Sequence, residues 1–173
     1  MTINTEDINN LFTNKIISEE SCNKLFLCIN CNGCSTGCPM TNITFNFNIK
    51  KFIRMASLGF EKNILNDKYL WYCTTCYKCQ ERCPEEIHNV DILLKLRTMA
   101  VSEGIMLPEH KAVATNVINT GHAVPINDNN KNKRKQLGLS EIPPTVHMFK
   151  NELENIQKLI HICKFDNLIN YKK

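Results

Sequence analysis

One cysteine pattern occurs twice in this chain and restricts its fold more than any other feature. Cys28, Cys31, Cys34 and Cys38 are followed by Pro39, and Cys73, Cys76, Cys79 and Cys83 by Pro84. Both copies read C-x2-C-x2-C-x3-C-P, lie 45 residues apart and use eight of the ten cysteines. Zinc sites usually join two short cysteine knuckles, or cysteine with histidine, and do not require this spacing. Disulfides need an oxidising compartment, of which the sequence gives no sign. The run is the bacterial spacing for a cubane iron-sulfur cluster, and its duplication predicts two 4Fe-4S clusters.

The spacing has a physical reason. Three cysteines at two-residue intervals let a tight loop wrap one cube with three thiolates, and Gly33 and Gly37 are expected to ease that wrapping by taking backbone angles other residues resist. The fourth cysteine lies too far along the chain and points away, so it ligates the other cube. This predicts crossed ligation, with Cys28, Cys31, Cys34 and Cys83 on one cluster and Cys73, Cys76, Cys79 and Cys38 on the other. Crossing ties the two halves of the domain together, and the prolines stop each ligand run from continuing as regular helix.

The remaining composition describes an ordinary globular chain, 43% apolar and 22% charged over 173 residues. The formal charge of +4 is concentrated only at 131–135, too little to point to a nucleic-acid partner. Eight thiolates loaded with two oxidised cubes cancel that excess. No apolar run approaches the ~18 residues of a membrane span. Met1 to Asn14 carries acids and amides where a signal peptide needs a basic end and an apolar stretch. The expectation is a soluble, cytoplasmic protein with reduced, ligating thiols.

Helical periodicity predicts a helix over 5–18 capped by Thr5 and one over 48–58 stopped by Gly59. A short helix is expected at 61–65, a longer one ending at Gly104 with Val90, Leu93, Leu94, Arg97, Ala100 and Val101 on one face, and another from Pro108 to Gly121. Ile43, Phe45, Phe47 and Ile49 alternate as in a short strand. Residues 122–144 read as an exposed linker between a di-cluster domain, 1–121, and a C-terminal helical arm, 145–173. Val146, Phe149, Leu153, Ile156, Ile160 and Cys163 form a heptad seam on that arm, fit either to pack on its own domain or to dock on another subunit.

Other residues have plainer readings. Cys22 and Cys163 are expected to be small buried packing groups. Trp71 and Tyr72 are expected to shield a cluster from water. Lys78, Arg82, Lys95 and Arg97 are candidates to raise a cluster potential, though surface lysines and arginines are mostly solvated. The five histidines show no ligand spacing, and the chain has no nucleotide loop, nucleophile elbow or Cys-Cys pair.

The two motifs, the intervening segment from Lys51 to Gly59, Leu70 to Cys73, Gly104 to His110 and Asn119 to Val124 together resemble the C subunit of methanogen heterodisulfide reductase. The likeness covers about residues 20–145. It implies an all-α fold, the α-helical ferredoxin. It also implies an electron-transfer role between a flavin-bearing A subunit and a Cys-Cys-Gly B subunit that reduces the coenzyme M-coenzyme B heterodisulfide in methanogenesis. In that family the soluble complex often carries a hydrogenase or formate dehydrogenase module. The cysteine runs alone also suit the iron-sulfur subunit of another flavin-linked dehydrogenase or fumarate reductase, or a diffusing di-cluster ferredoxin. No catalytic residue is expected on this chain, because cubes with four protein thiolates offer no open iron.

Anaerobically prepared protein is expected to contain about eight irons and about eight acid-labile sulfides per chain. Elemental analysis checks this, and zinc, or four irons in fully loaded protein, contradicts it.

Overall fold

Short polar caps set where the helices start. In the computed structural model, which describes residues 7–169, Asn9 accepts hydrogen bonds from the amides of Leu11 and Phe12 at 3.0 and 3.4 Å. Helix α1 therefore spans Asn10–Ile17, and the expected cap Thr5 lies outside the described residues. A 3₁₀ segment, Glu20–Leu27, leads to Cys28. There follow α2 (Gly33–Thr36), α3 (Pro39–Ile43), α4 (Ile49–Ser57) and α5 (Glu61–Leu65). A second 3₁₀ segment, Lys68–Tyr72, leads to Cys73, and α6 (Lys78–Glu81) and α7 (Asn89–Ser102) complete the first compact unit, Met1–Ile105.

All regular elements among the described residues are helical, so the expected strand at 43–49 does not form. Pro39, at a helix-opening position where its missing amide costs nothing, starts α3 instead. Phe45 is then 98% exposed, and only Phe47 and Ile49 turn inward. The core gathers Phe12, Ile16, Leu25, Phe47, Phe52, Ile64 and Leu70 around α7. That helix packs against α1, α4 and α5. Because neighbours cover it on more than one side, its buried arc takes in Ile92 and Leu96, while Leu94 of the expected face is exposed and Val101 only partly buried.

Helices α4 and α7 correspond at an offset of 40 residues. Phe52, Ile53 and Ala56 are buried on one, and Ile92, Leu93 and Leu96 on the other. The duplication of the cysteine runs thus extends into the helices behind them.

The second unit, Met106–Lys173, contains α8 (Pro108–Thr120), which ends at Gly121 as expected. The division at 105/106 groups α8 with the C-terminal helices. The expected linker contains α9 (Asp128–Gln136). Asn127 caps it, Asp128 lies in its first turn, and Lys133, Arg134 and Lys135 lie in its last, each complementing the helix dipole. After a 3₁₀ turn at Val146–Met148 come α10 (Lys150–Ile162) and α11 (Phe165–Leu168). Leu153, Ile156 and Ile160 of the heptad seam are partly buried, and α10 contacts α8, with Gln157 Nε2 donating to the Ile118 carbonyl at 3.0 Å. Val146 at the start of the seam is also partly buried, whereas Phe149 and Cys163 stay exposed. Among the described residues, no helix is long and apolar enough to cross a membrane.

Gly59 couples α1 to α4. Its φ is +79°, its carbonyl accepts from the Asn9 amide at 2.8 Å, and an added Cβ would lie 2.8 Å from the Asn9 oxygen. Gly59→Ala is expected to destabilise the domain by at least the ~1–2 kcal/mol cost of the left-handed backbone. Denaturant unfolding of the variant checks this, and unchanged stability contradicts it.

Candidate iron-sulfur centre

Each cysteine run is bent by the same two backbone reversals. Asn30 and Asn32 flank Cys31 with φ of 62° and 71°, and Thr75 and Tyr77 flank Cys76 with φ of 52° and 61°. Asparagine tolerates this region, whereas β-branched Thr75 and bulky Tyr77 are strained there by about 1–3 kcal/mol each. The turns leave Cys31 and Cys76 exposed at the loop tips. Gly33 and Gly37 do not supply the unusual angles expected of them, since neither has a positive φ. What they supply is closeness. A Cβ on Gly37 would sit 2.6 Å from Arg82 Cδ, and one on Gly33 would sit 3.2 Å from the Arg82 carbonyl. The two runs therefore press together where α2 meets α6.

That contact brings the eight motif cysteines around two pockets. Cys28, Cys31, Cys34 and Cys83 line the first, a space of about 360 Å³ including its mouth, together with Lys50 and Asn89. Cys38, Cys73, Cys76 and Cys79 line the second, of about 300 Å³, together with Ile49 and Val90. All ten cysteines are free thiols. Among the described residues, no three His, Cys, Asp or Glu side chains converge as they would on a single metal ion. Four thiols spread around a small open space suit a cluster that carries an iron at each of several corners.

Burial favours the neutral form of three of the pocket thiols. Burial pushes Cys79 up to about 12 and also raises Cys34 and Cys73. At Cys73 the rise is opposed by the Thr75 amide, which donates to Sγ at 3.4 Å, and by the charge of Arg97. Metal binding must then displace protons from these thiols.

Arg97 acts on the backbone. Its Nε donates to the Leu70 carbonyl at 3.1 Å and its Nη2 to the Cys73 carbonyl at 2.8 Å, while its guanidinium lies 5.8 Å from the centre of the Trp71 ring. Burial pulls its pKa below the ordinary value, which Cys73 opposes. Lys95 pairs with Glu19, and Lys78 and Arg82 are exposed. None of the four basic residues singled out from the sequence lines a pocket. The residue that does, Lys50, carries no sequence signal beyond its place behind the α4 cap Asn48.

Trp71 packs against the core and Tyr72 is 37% exposed. Cys22 is buried as expected, but Cys163 is exposed, because it follows the last turn of α10 where the seam has left α8. Sequence spacing also misses the meeting of His122 and His147, whose rings stand 5.2 Å apart in the second unit.

The profile of the 4Fe-4S dicluster domain family matches residues 24–87, which contain both runs. The chain is 46% identical over 144 residues to the C subunit of the H2:CoB-CoM heterodisulfide,ferredoxin reductase of Methanothermobacter thermautotrophicus, covering 83% of this chain and 77% of that one. The chain belongs to the C-subunit family of heterodisulfide reductases. It is also 45% identical to the C subunit of the ferredoxin/F420H2-dependent CoB-CoM heterodisulfide reductase of Methanosarcina acetivorans, over 84% of this chain and 89% of the relative. The C2 subunit of the H2/formate:CoB-CoM heterodisulfide,ferredoxin reductase of Methanococcus maripaludis is 35% identical, over 96% and 93% of the two chains. As a heterodisulfide reductase C subunit, the chain is an iron-sulfur electron-transfer component of an oxidoreductase, with the all-α fold of a di-cluster domain.

Arg97→Ala is expected to remove two charge-assisted hydrogen bonds from the segment ending at Cys73, each worth about 1.5–3 kcal/mol. Iron should then leave the variant faster than wild type under chelator challenge, followed by loss of visible absorbance. Equal rates contradict this role.

Proposed function

We propose that this chain relays electrons, one at a time, through two 4Fe-4S clusters within a soluble, cytoplasmic heterodisulfide reductase complex. The A subunit, carrying flavin, is the donor, and the B subunit, with its Cys-Cys-Gly motifs, is the acceptor that reduces the coenzyme M-coenzyme B heterodisulfide. A hydrogenase or formate dehydrogenase module feeds the larger assembly. The observation that carries this reading is the partition of eight thiols into two pockets that open within one domain, each completed by one cysteine from the opposite run. In the reading, Cys28, Cys31, Cys34 and Cys83 hold one cluster, and Cys73, Cys76, Cys79 and Cys38 the other.

Each bound cluster supplies a site that takes up and gives back a single electron. The chain's own residues do the rest. With four thiols to each pocket, a bound cube would have no iron left for substrate. Ile49, Val90 and Phe47 give the second pocket an apolar wall. The exposed loop tips at Cys31 and Cys76 bring each pocket edge to the surface, where a neighbour's cofactor can approach within tunnelling range. The C-terminal arm, whose Leu159 and Ile162 are 57% and 73% exposed on α10, docks the chain in its complex. Deleting 145–173 should leave a loaded protein that no longer co-purifies with the flavin-bearing and Cys-Cys-Gly subunits.

Two tests address ligation and relay separately. Cys83→Ala should damage the cluster wrapped by Cys28, Cys31 and Cys34 and spare that wrapped by Cys73, Cys76 and Cys79; cluster spectroscopy showing the reverse means each run binds its own cube. In the reconstituted complex, Cys76→Ala should stop heterodisulfide reduction driven through the flavin-bearing subunit while the Cys-Cys-Gly subunit still turns over with an artificial donor. Full coupling in a Cys76→Ala complex that lacks that cluster would falsify the relay.

A further inference from the structure

The two pockets are built from duplicated parts but are chemically unequal, and the inequality lies in the first turns of α4 and α7. At the 40-residue offset relating these helices, Ile49 corresponds to Asn89 and Lys50 to Val90. Each helix start feeds both pockets. Lys50 and Asn89 face the pocket of Cys28, Cys31, Cys34 and Cys83, whereas Ile49 and Val90 face the pocket of Cys38, Cys73, Cys76 and Cys79. At both duplicated positions, therefore, the polar member faces the first pocket and the aliphatic member faces the second. Asn30 and Asn32 join the first beside Ile29, and Met40 and Phe47 join the second beside Thr74 and Tyr77. Charged residues line only the first, while the second has Arg97 behind it, donating to the Cys73 carbonyl at 2.8 Å.

Lys50 is partly buried and, among the described residues, pairs with no carboxylate. The other charged residue of the first pocket, Glu85, opposes it. One-electron reduction adds a negative charge to a cluster whose thiolates already make it anionic. An ammonium that lines the pocket stabilises that added charge more than a cation set behind it, and at the second pocket Arg97 stands behind Cys73, bound to the Leu70 and Cys73 carbonyls.

We propose that Lys50 makes the cluster held by Cys28, Cys31, Cys34 and Cys83 the higher-potential member of the pair, the one on which a single electron rests. This rests on the two-cluster reading above. Lys50 is a positioning residue for charge: it sets the order in which the two sites fill and touches no substrate. The pocket of Cys38, Cys73, Cys76 and Cys79 is then the low-potential site, through which an electron from a stronger reductant passes on its way to the first.

An EPR-monitored redox titration of the loaded full-length chain tests this, with iron counted on every sample. Cys31→Ser marks the signal of the first pocket by changing its line shape. In wild-type protein the signal so marked should appear at the higher potential. Lys50→Met should lower that midpoint and leave the other in place, and Lys50→Arg, which keeps the charge, should restore it. Glu85→Gln, which leaves the packing of α4 untouched, should move the same midpoint upward. The proposal is overturned if the marked signal is the last to appear, if either Lys50→Met or Glu85→Gln leaves it unmoved, or if both midpoints shift equally. An unmoved midpoint with about eight irons present sinks the role of Lys50 alone. Four irons in fully loaded wild-type protein sink the two-cluster reading and this assignment with it.

Discussion

The close approach of the two cysteine runs is the constraint on which the rest of the first unit depends. A cysteine four residues past its own loop can reach the opposite pocket only if the loops touch, and they touch at Gly33 and Gly37 against Arg82. No side chain larger than hydrogen fits at Gly37 without displacing Arg82. Everything behind the loops serves that approach. The two helices that start between the pockets, α4 and α7, each turn consecutive residues to different pockets and anchor their other faces in one shared core.

Left without iron, this arrangement opposes itself. Strained residues flank Cys76, and three motif thiols are raised by burial, so the loops gain little locally. What holds them is nonlocal. The aromatic and aliphatic core grips α4 and α7, Ser35 Oγ donates to the cap residue Asn48 at 2.6 Å, and Arg97 ties the Leu70 and Cys73 carbonyls to α7. Iron binding then draws on a site already shaped, with proton release from the thiols as its electrostatic cost.

The cysteine runs make the site legible in the sequence, because eight cysteines at a specific spacing leave little chemical choice. Helices bounded by strong local signals are equally legible: Gly59, Gly104, Pro108 and Gly121 mark real ends. Pattern misleads where tertiary context outweighs it. Alternating Ile43, Phe45, Phe47 and Ile49 have no partner strand, and a helix-opening proline claims the start of the segment. The buried arc of α7 exceeds one stripe because the helix is packed on several sides. Polar 128–136 has the composition of a linker, although its charges are ordered as a capped helix requires. Gly33 and Gly37 serve contact and not angle, and only the fold brings Lys50 beside the cysteines.

The central claim is that each cluster is shared between the two runs. An iron-anomalous difference map from crystals of the anaerobically loaded full-length chain tests it most directly. The account predicts two separate iron groups, with Cys83 Sγ bound to the group that Cys28, Cys31 and Cys34 hold, and Cys38 Sγ bound to the group that Cys73, Cys76 and Cys79 hold. Cys38 bound beside Cys28, Cys31 and Cys34, or a single iron group for the whole chain, would contradict it.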